Sequence, residues 1–276
     1  MRKQVNDALR RLTGYQLTKA RPAPEPGGGA KRRAAVPARR ERASAADRAP
    51  AEDLPRDFDD AAKDIIRAVR PYTMTSADKL FALIEATRYL ARHRIEGDVV
   101  ECGVWRGGSM QAVARTLIAA GDTGRDLHLF DTFEGMPPAG ERDVRHDGRP
   151  AAKLLATLPR DSKTWAVASL EDVQQGFAQV PYPRERVHFV KGLVEETVPA
   201  RAPDRIALLR LDTDWYESTR HELRHLYPRL VSGGVLILDD YGWWKGAREA
   251  VDEWLEETGE RLLLVRAGSG RIAVKP

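Results

Sequence analysis

Two short apolar runs in this 276-residue chain end in paired acids. IALLRLDTD sets Asp212 and Asp214 after a run that begins at Ile206, and GGVLILDD sets Asp239 and Asp240 after one that ends at Leu238. A short, continuously apolar run closed by carboxylates reads as a buried parallel strand whose C-terminal end opens into a site. Between the runs, Leu223, Leu226, Tyr227 and Leu230 recur at helical spacing, as in the crossover of a β-α-β unit. A right-handed crossover brings both strand ends to one rim, so the four carboxylates meet. Crowded carboxylates repel one another unless a cation or a shared proton compensates, which predicts a bound metal or a strongly shifted pKa. An all-oxygen ligand set suits Mg²⁺ or a similar hard ion rather than zinc. The competing reading, that these residues cap the following helices, uses one Asp per helix, and here each run ends in two.

The elements that would position those acids can be read outward from them. Asp98 to Cys102 reads as a first strand and GVWRGGS as its exit turn, leading into a helix through Met110, Val113, Ala114 and Leu117. Glycines at such a junction let a ligand approach the helix N-terminus. The pattern G-x-x-x-G-G is a poor match to the G-x-G-x-x-G of dinucleotide sites, which weakens an NAD-dependent reading. Leu127 to Phe130 forms a second strand with Asp131 at its tip, the position from which an acid reaches ribose hydroxyls. Together these features point to an adenosine-bearing ligand without a diphosphate. Upstream, Phe58 to Val69 suggests a helix stopped by Pro71. Ser76 caps a second helix with Leu80, Leu83, Ile84, Thr87 and Leu90 inward.

Downstream, ERDVRHDGRP within a polar insertion near residues 140–165 is either a lid over substrate or a passive surface loop, with His146 exposed. A helix over Leu170 to Val180 and a third strand over Val187 to Val190 follow. After the acids, Trp243 and Trp244 either stack on substrate or pack internally. Ala247 to Glu257 reads as a helix, and strands Arg261 to Val265 and Arg271 to Val274 face each other across AGSG.

Charge is unevenly placed. Residues 1–50 hold 13 Lys and Arg against four Asp and Glu, net +9, which leaves 32 against 37, net −5, for the rest. Residues 1–52 therefore read as a basic Pro/Gly/Ala-rich tail, with a short amphipathic helix possible near the start, and 53–276 as the globular domain. A mildly acidic domain gives no case for nucleic-acid binding. The single Cys102 excludes an internal disulfide and a Cys-rich zinc site, and fits a cytoplasmic setting. No apolar run of membrane-spanning length occurs, so no membrane association is expected.

From about Tyr72 onward, VECGVWRGGSM, LFDTFEGMP, FVKGLVEETVP, LLRLDTDWYEST, GGVLILDDYG and GAREAVDEW resemble, in order, the motifs of the macrocin O-methyltransferase (TylF) family, whose members methylate sugar hydroxyls in antibiotic tailoring. The resemblance implies a class I S-adenosylmethionine-dependent methyltransferase: an α/β, Rossmann-like, seven-stranded and mostly parallel sheet flanked by helices, its last strands antiparallel. It implies Mg²⁺ on Asp212, Asp239 and Asp240, Asp214 as general base, and a homo-oligomer acting on a small-molecule glycoside. For the cofactor it points to Thr75, Glu101, Gly103, Ser109, Asp131 and Gly192. An O-methyltransferase of a catechol or other vicinal diol remains a rival, because neighbouring oxygens chelate a metal in either substrate. A binding module without turnover is a third reading.

Overall fold

The computed structural model describes residues 54–276. The expected tail and helix within 1–52 lie outside them. Strands β1 (Asp98–Cys102), β2 (Leu127–Asp131), β3 (Val187–Lys191), β4 (Ile206–Leu211), β5 (Leu230–Leu238), β6 (Val265–Ala267) and β7 (Gly270–Val274) form one sheet in the order β3-β2-β1-β4-β5-β7-β6. The first five run parallel, and β7 lies antiparallel to both β5 and β6. From β1 the chain builds outward to β2 and β3, then returns to lay β4 on the other side of β1. That reversal opens a crevice at the carboxyl ends of β1 and β4, the usual ligand site of open parallel sheets.

Helices cover both faces. α1 (Asp60–Val69), α2 (Ala77–His93), α3 (Gly108–Ala120), α4 (Ala151–Thr157), α5 (Leu170–Phe177), α6 (Val194–Thr197), α7 (Tyr216–Leu226) and α8 (Lys245–Thr258) follow in chain order, with short 3₁₀ turns between some of them. Side chains alternate across a strand, so Val99 packs toward α2, α3 and α5 while Val100 packs toward α7 and α8. Both valines are fully buried, and each such side chain contributes about 1.5–3 kcal/mol. This two-sided burial is why β1 and β4 read as mainly apolar runs, interrupted by Glu101 and Arg210, rather than alternating ones.

Ser76 caps α2 by accepting from the Lys79 amide, and Leu80, Leu83, Ile84, Thr87 and Leu90 are all buried, as their spacing predicts. The final hairpin is shorter than expected: residues 261–264 are not in a strand, and Ala267 and Gly270 join β6 and β7. The turn is therefore Gly268–Ser269 alone. The polar insertion is tied down at both ends of its loop. Asp143 is buried and accepts from the main-chain N–H of Gly140 (2.7 Å) and of Tyr216 (2.8 Å), the latter at the start of α7. Val144 bridges to Pro150, and Arg145 bridges to Trp244. His146 is exposed and meets Trp243 edge-on.

Candidate active site

At the carboxyl ends of β1 and β4 lies a cavity of about 480 Å³ lined by residues from both halves of the sheet. Its first wall is the exit of β1. Gly103 has φ +80, and a Cβ there would stand 2.1 Å from the Asp212 carbonyl oxygen, so no side chain fits where the two strand ends cross. The turn then enters α3, whose first residue, Gly108, lies against the Tyr72 backbone, where a Cβ would come within 2.6 Å. Ser109 and Thr75, both buried, bring their hydroxyls within 3.3 Å of each other on the cavity wall.

Asp131 at the tip of β2 lines the same wall. Its Oδ2 accepts from the amides of Val104 (2.8 Å) and Trp105 (3.0 Å), and its Oδ1 from the Phe133 amide (2.7 Å) and the Thr132 hydroxyl (3.4 Å). Burial raises the pKa of this carboxyl in spite of those donors. Gly192 completes the rim beyond β3, its amide donating to the Asp131 carbonyl at 3.0 Å. Glu101 is placed differently from the other expected cofactor residues. It is fully buried and does not line the cavity; its Oε1 is gripped by Arg210 and its Oε2 has no partner in the protein. Burial pushes its carboxyl up to about 7 against the pull of Arg210.

The second wall is the paired acids. One carboxylate oxygen from each of Asp212, Asp239 and Asp240 lies within 4.8 Å of the others, as the crossover predicts. Asp214 stands beside them in a left-handed conformation (φ +69) that a non-glycine residue adopts only when its surroundings hold it there. Its amide donates to Asp240 Oδ2 at 3.1 Å, and the Trp244 indole N–H donates to its Oδ1. Burial first, and then the neighbouring Asp212 charge, push the Asp214 carboxyl up to about 7. Asp212 and Asp240 are raised too, chiefly by burial. Asp239 goes the other way, because Arg210 and Lys79 outweigh its desolvation.

Those two cations are absent from the reading of the sequence. Arg210, 3% exposed within β4, joins both walls: it donates to Glu101, to Asp212 Oδ2 (2.8 Å), to Thr75 Oγ1 (3.2 Å) and to Asp239 Oδ1 (2.6 Å). Its signal was present, since an arginine inside an otherwise apolar buried strand must find partners for its charge. Lys79 reaches from α2 to Asp239, donating to its carboxylate and, at 3.0 Å, to its carbonyl. No local pattern marks that contact. Glu222 of α7 is a further buried ionisable group: its Oε1 accepts from the Thr213 hydroxyl at 3.0 Å, which braces the turn between Asp212 and Asp214.

The adjacent tryptophans differ in burial. Trp244 is buried and packs edge-to-face on Trp215 (5.0 Å), whereas Trp243 is 43% exposed at the rim. Trp215 is itself buried and lines the cavity, its indole donating to the Pro137 carbonyl. Among the described residues, no helix is long and apolar enough to cross a membrane.

Known proteins are similar to this chain in sequence and fold. The chain is 34% identical over 183 residues to demethyldecarbamoylnovobiocin O-methyltransferase of Streptomyces niveus, covering 66% of this chain and 67% of that one. It is 33% identical over 189 residues to mycinamicin III 3''-O-methyltransferase of Micromonospora griseorubida, covering 68% and 72%. The structure of the O-methyltransferase NovP superposes with a TM-score of 0.65 at 32% identity, over 74% of this chain and 82% of that one. The calicheamicin methyltransferase CalS11 shares the fold, with a TM-score of 0.56 at 18% identity over 78% and 91%. A family model described as Macrocin-O-methyltransferase (TylF) matches residues 29–262. With that match spanning most of its length, the chain belongs to the macrocin O-methyltransferase family and is an S-adenosylmethionine-dependent O-methyltransferase.

Proposed function

We propose that this enzyme methylates a sugar hydroxyl of a glycosylated natural product, with Mg²⁺ held by Asp212, Asp239 and Asp240 and with Asp214 as the base. The observation that carries the reading is the convergence of three carboxylates within 4.8 Å beside a fourth whose carboxyl is pushed up to about 7. The donor set fits a hard divalent ion, being all oxygen. Arg210 and the Asp214 amide each engage one oxygen of a carboxylate, which orients Asp212 and Asp240 and leaves a second oxygen on each. A bound Mg²⁺ would supply charge stabilisation at a substrate oxygen and a template for two neighbouring hydroxyls.

A sugar hydroxyl ionises far above pH 7, so it attacks a methyl sulfonium slowly unless its proton leaves as the bond forms. Asp214 is suited to accept that proton. The Trp244 indole and the strained backbone fix its aim, and a carboxyl titrating near neutrality is matched to proton transfer. Trp215 and Trp244 shield it from water. On the other wall, Thr75 and Ser109 would bind the methionine carboxylate, Gly103 and Gly192 would border the cofactor with their backbones, and Asp131 would accept from the ribose. Glu101 does not line the cavity and would act on the methionine end through Arg210, which also holds Thr75.

The rim supports an uncharged, apolar carrier for the sugar. Met74, Leu193 and Trp243 line the cavity yet are exposed. The lining holds six acids against two lysines, of which Lys79 is already paired with Asp239. Residues 140–165 serve as the lid. The setting is the cytoplasm, where the lone Cys102 stays reduced, and the working form is a homo-oligomer. Methyl-transfer assays with glycosides, their aglycones, nucleotide sugars and catechols, each with Mg²⁺ or with chelator, test the reading. Mg²⁺-dependent turnover of a glycoside is the expected result, and faster turnover of catechols would sink it.

A further inference from the structure

The two cations that grip the carboxylate cluster are held in different ways. Arg210 is 3% exposed and donates to four residues on four segments of the chain, so it cannot leave without orphaning several buried groups. Lys79 is 14% exposed, lines the cavity, and makes its contacts to one residue, Asp239. Its stem runs against the turn between β6 and β7, where a Cβ on Gly268 would lie 3.1 Å from Lys79 Cγ, while its ammonium ends at the cavity. Asp239 Oδ1 is taken by Arg210 at 2.6 Å, and the Oδ2 that a cation would need is the atom Lys79 holds. An ammonium and a divalent ion cannot both sit on that oxygen without strong repulsion.

We infer that Lys79 is an exchangeable counter-ion of the metal site: its ammonium holds Asp239 until a divalent ion binds, then withdraws into the cavity, so the lysine sets a ceiling on the affinity for the ion. This rests on the proposed assignment of Asp212, Asp239 and Asp240 as ligands. A lysine suits the role better than an arginine, since its compact ammonium on a flexible stem can rotate away as a unit.

The test reads metal binding directly. Mg²⁺ is titrated calorimetrically into chelator-treated full-length protein, wild type, Lys79→Met and Lys79→Arg, with thermal melts to confirm folding. Removing the charge should tighten Mg²⁺ binding about tenfold or more, and Lys79→Arg should stay within about threefold of wild type. Equal or weaker binding by Lys79→Met overturns the inference, as does equal tightening by Lys79→Arg, which would make the effect steric. In the wild type, amine acylation followed by mass spectrometry should find Lys79 more reactive when Mg²⁺ is added; unchanged or lower reactivity counts against displacement. If neither wild type nor Lys79→Met binds Mg²⁺, the ligand assignment itself falls and takes the inference with it. Binding by both with no change at Lys79 leaves the ligands standing and removes only the counter-ion.

Discussion

The two walls of the cavity hold their acids by opposite means. At the tip of β2, Asp131 is fixed by three backbone amides and the hydroxyl of the next residue. At the ends of β4 and β5, Asp212 and Asp239 are held by the side chains of Arg210 and Lys79. Amide donors belong to the turn itself and cannot depart unless it unfolds, so they make a permanent recognition surface. Of the two cations, Lys79, held by one residue, can redistribute when another charge arrives, whereas Arg210 is locked among four. The wall proposed for the cofactor is thus fixed by its own backbone, and the carboxylate wall in part by a side chain that can move.

The contrast can be broken most severely at Asp214. Asp214→Asn keeps the shape and removes the proposed base, so kcat should fall about 10²- to 10⁴-fold while calorimetric binding of S-adenosylhomocysteine is unaltered. A matching loss of cofactor affinity would mean the walls are not separable. Asp131→Ala attacks the other wall. It strips three turn amides of their acceptor and should cost roughly 1–3 kcal/mol of stability in a denaturant titration, together with about tenfold in cofactor affinity. Mg²⁺ affinity should be spared.

A pH series sharpens the comparison without mutation. Burial pushes the Asp214 and Glu101 carboxyls up to about 7 in the folded protein, well above an unfolded carboxyl. A carboxyl whose folded pKa is raised contributes stability below its unfolded pKa, near 4, and that stability is lost as pH rises toward 7. Chelator-treated protein should therefore melt at lower temperature as pH climbs through that window. Asp239 is depressed to about 2, so its contribution is constant through that window and is lost only as pH falls below the unfolded value toward about 2. Added Mg²⁺ should relieve the Asp214 part of the decline and leave the Glu101 part. The mildest change is Trp243→Ala at the exposed rim, expected to raise KM for the glycoside several-fold and leave kcat and the cofactor KM near wild type, in steady-state assays.

Much of this arrangement was legible along the chain. The strand ends carrying Asp131, Asp212, Asp239 and Asp240 stood out because a strand buried on both faces is a run of apolar residues, and a polar group can follow only where that run opens. Other features were hidden by distance. Asp143, set in a polar stretch, gave no hint that it is buried and accepts from the Tyr216 amide 73 residues later. Nothing near Lys79 in the chain marks its role, because its partner is 160 residues away. The late strand was placed too early since LLLV has strand-like composition, whereas pairing with β7 begins only at Val265.

By itself the order of residues determined the parallel sheet, the turn after β1 and the meeting of four acids, because each follows from local periodicity and the handedness of a crossover. Tertiary structure alone decided what surrounds those acids: Arg210 tying the two walls together, Lys79 on Asp239, and one tryptophan buried beside its exposed neighbour. A strand's periodicity says which way a side chain points. The charge it meets there depends on which distant segments fold against it, and the balance of burial and Coulomb energy that sets the chemistry exists only once they have.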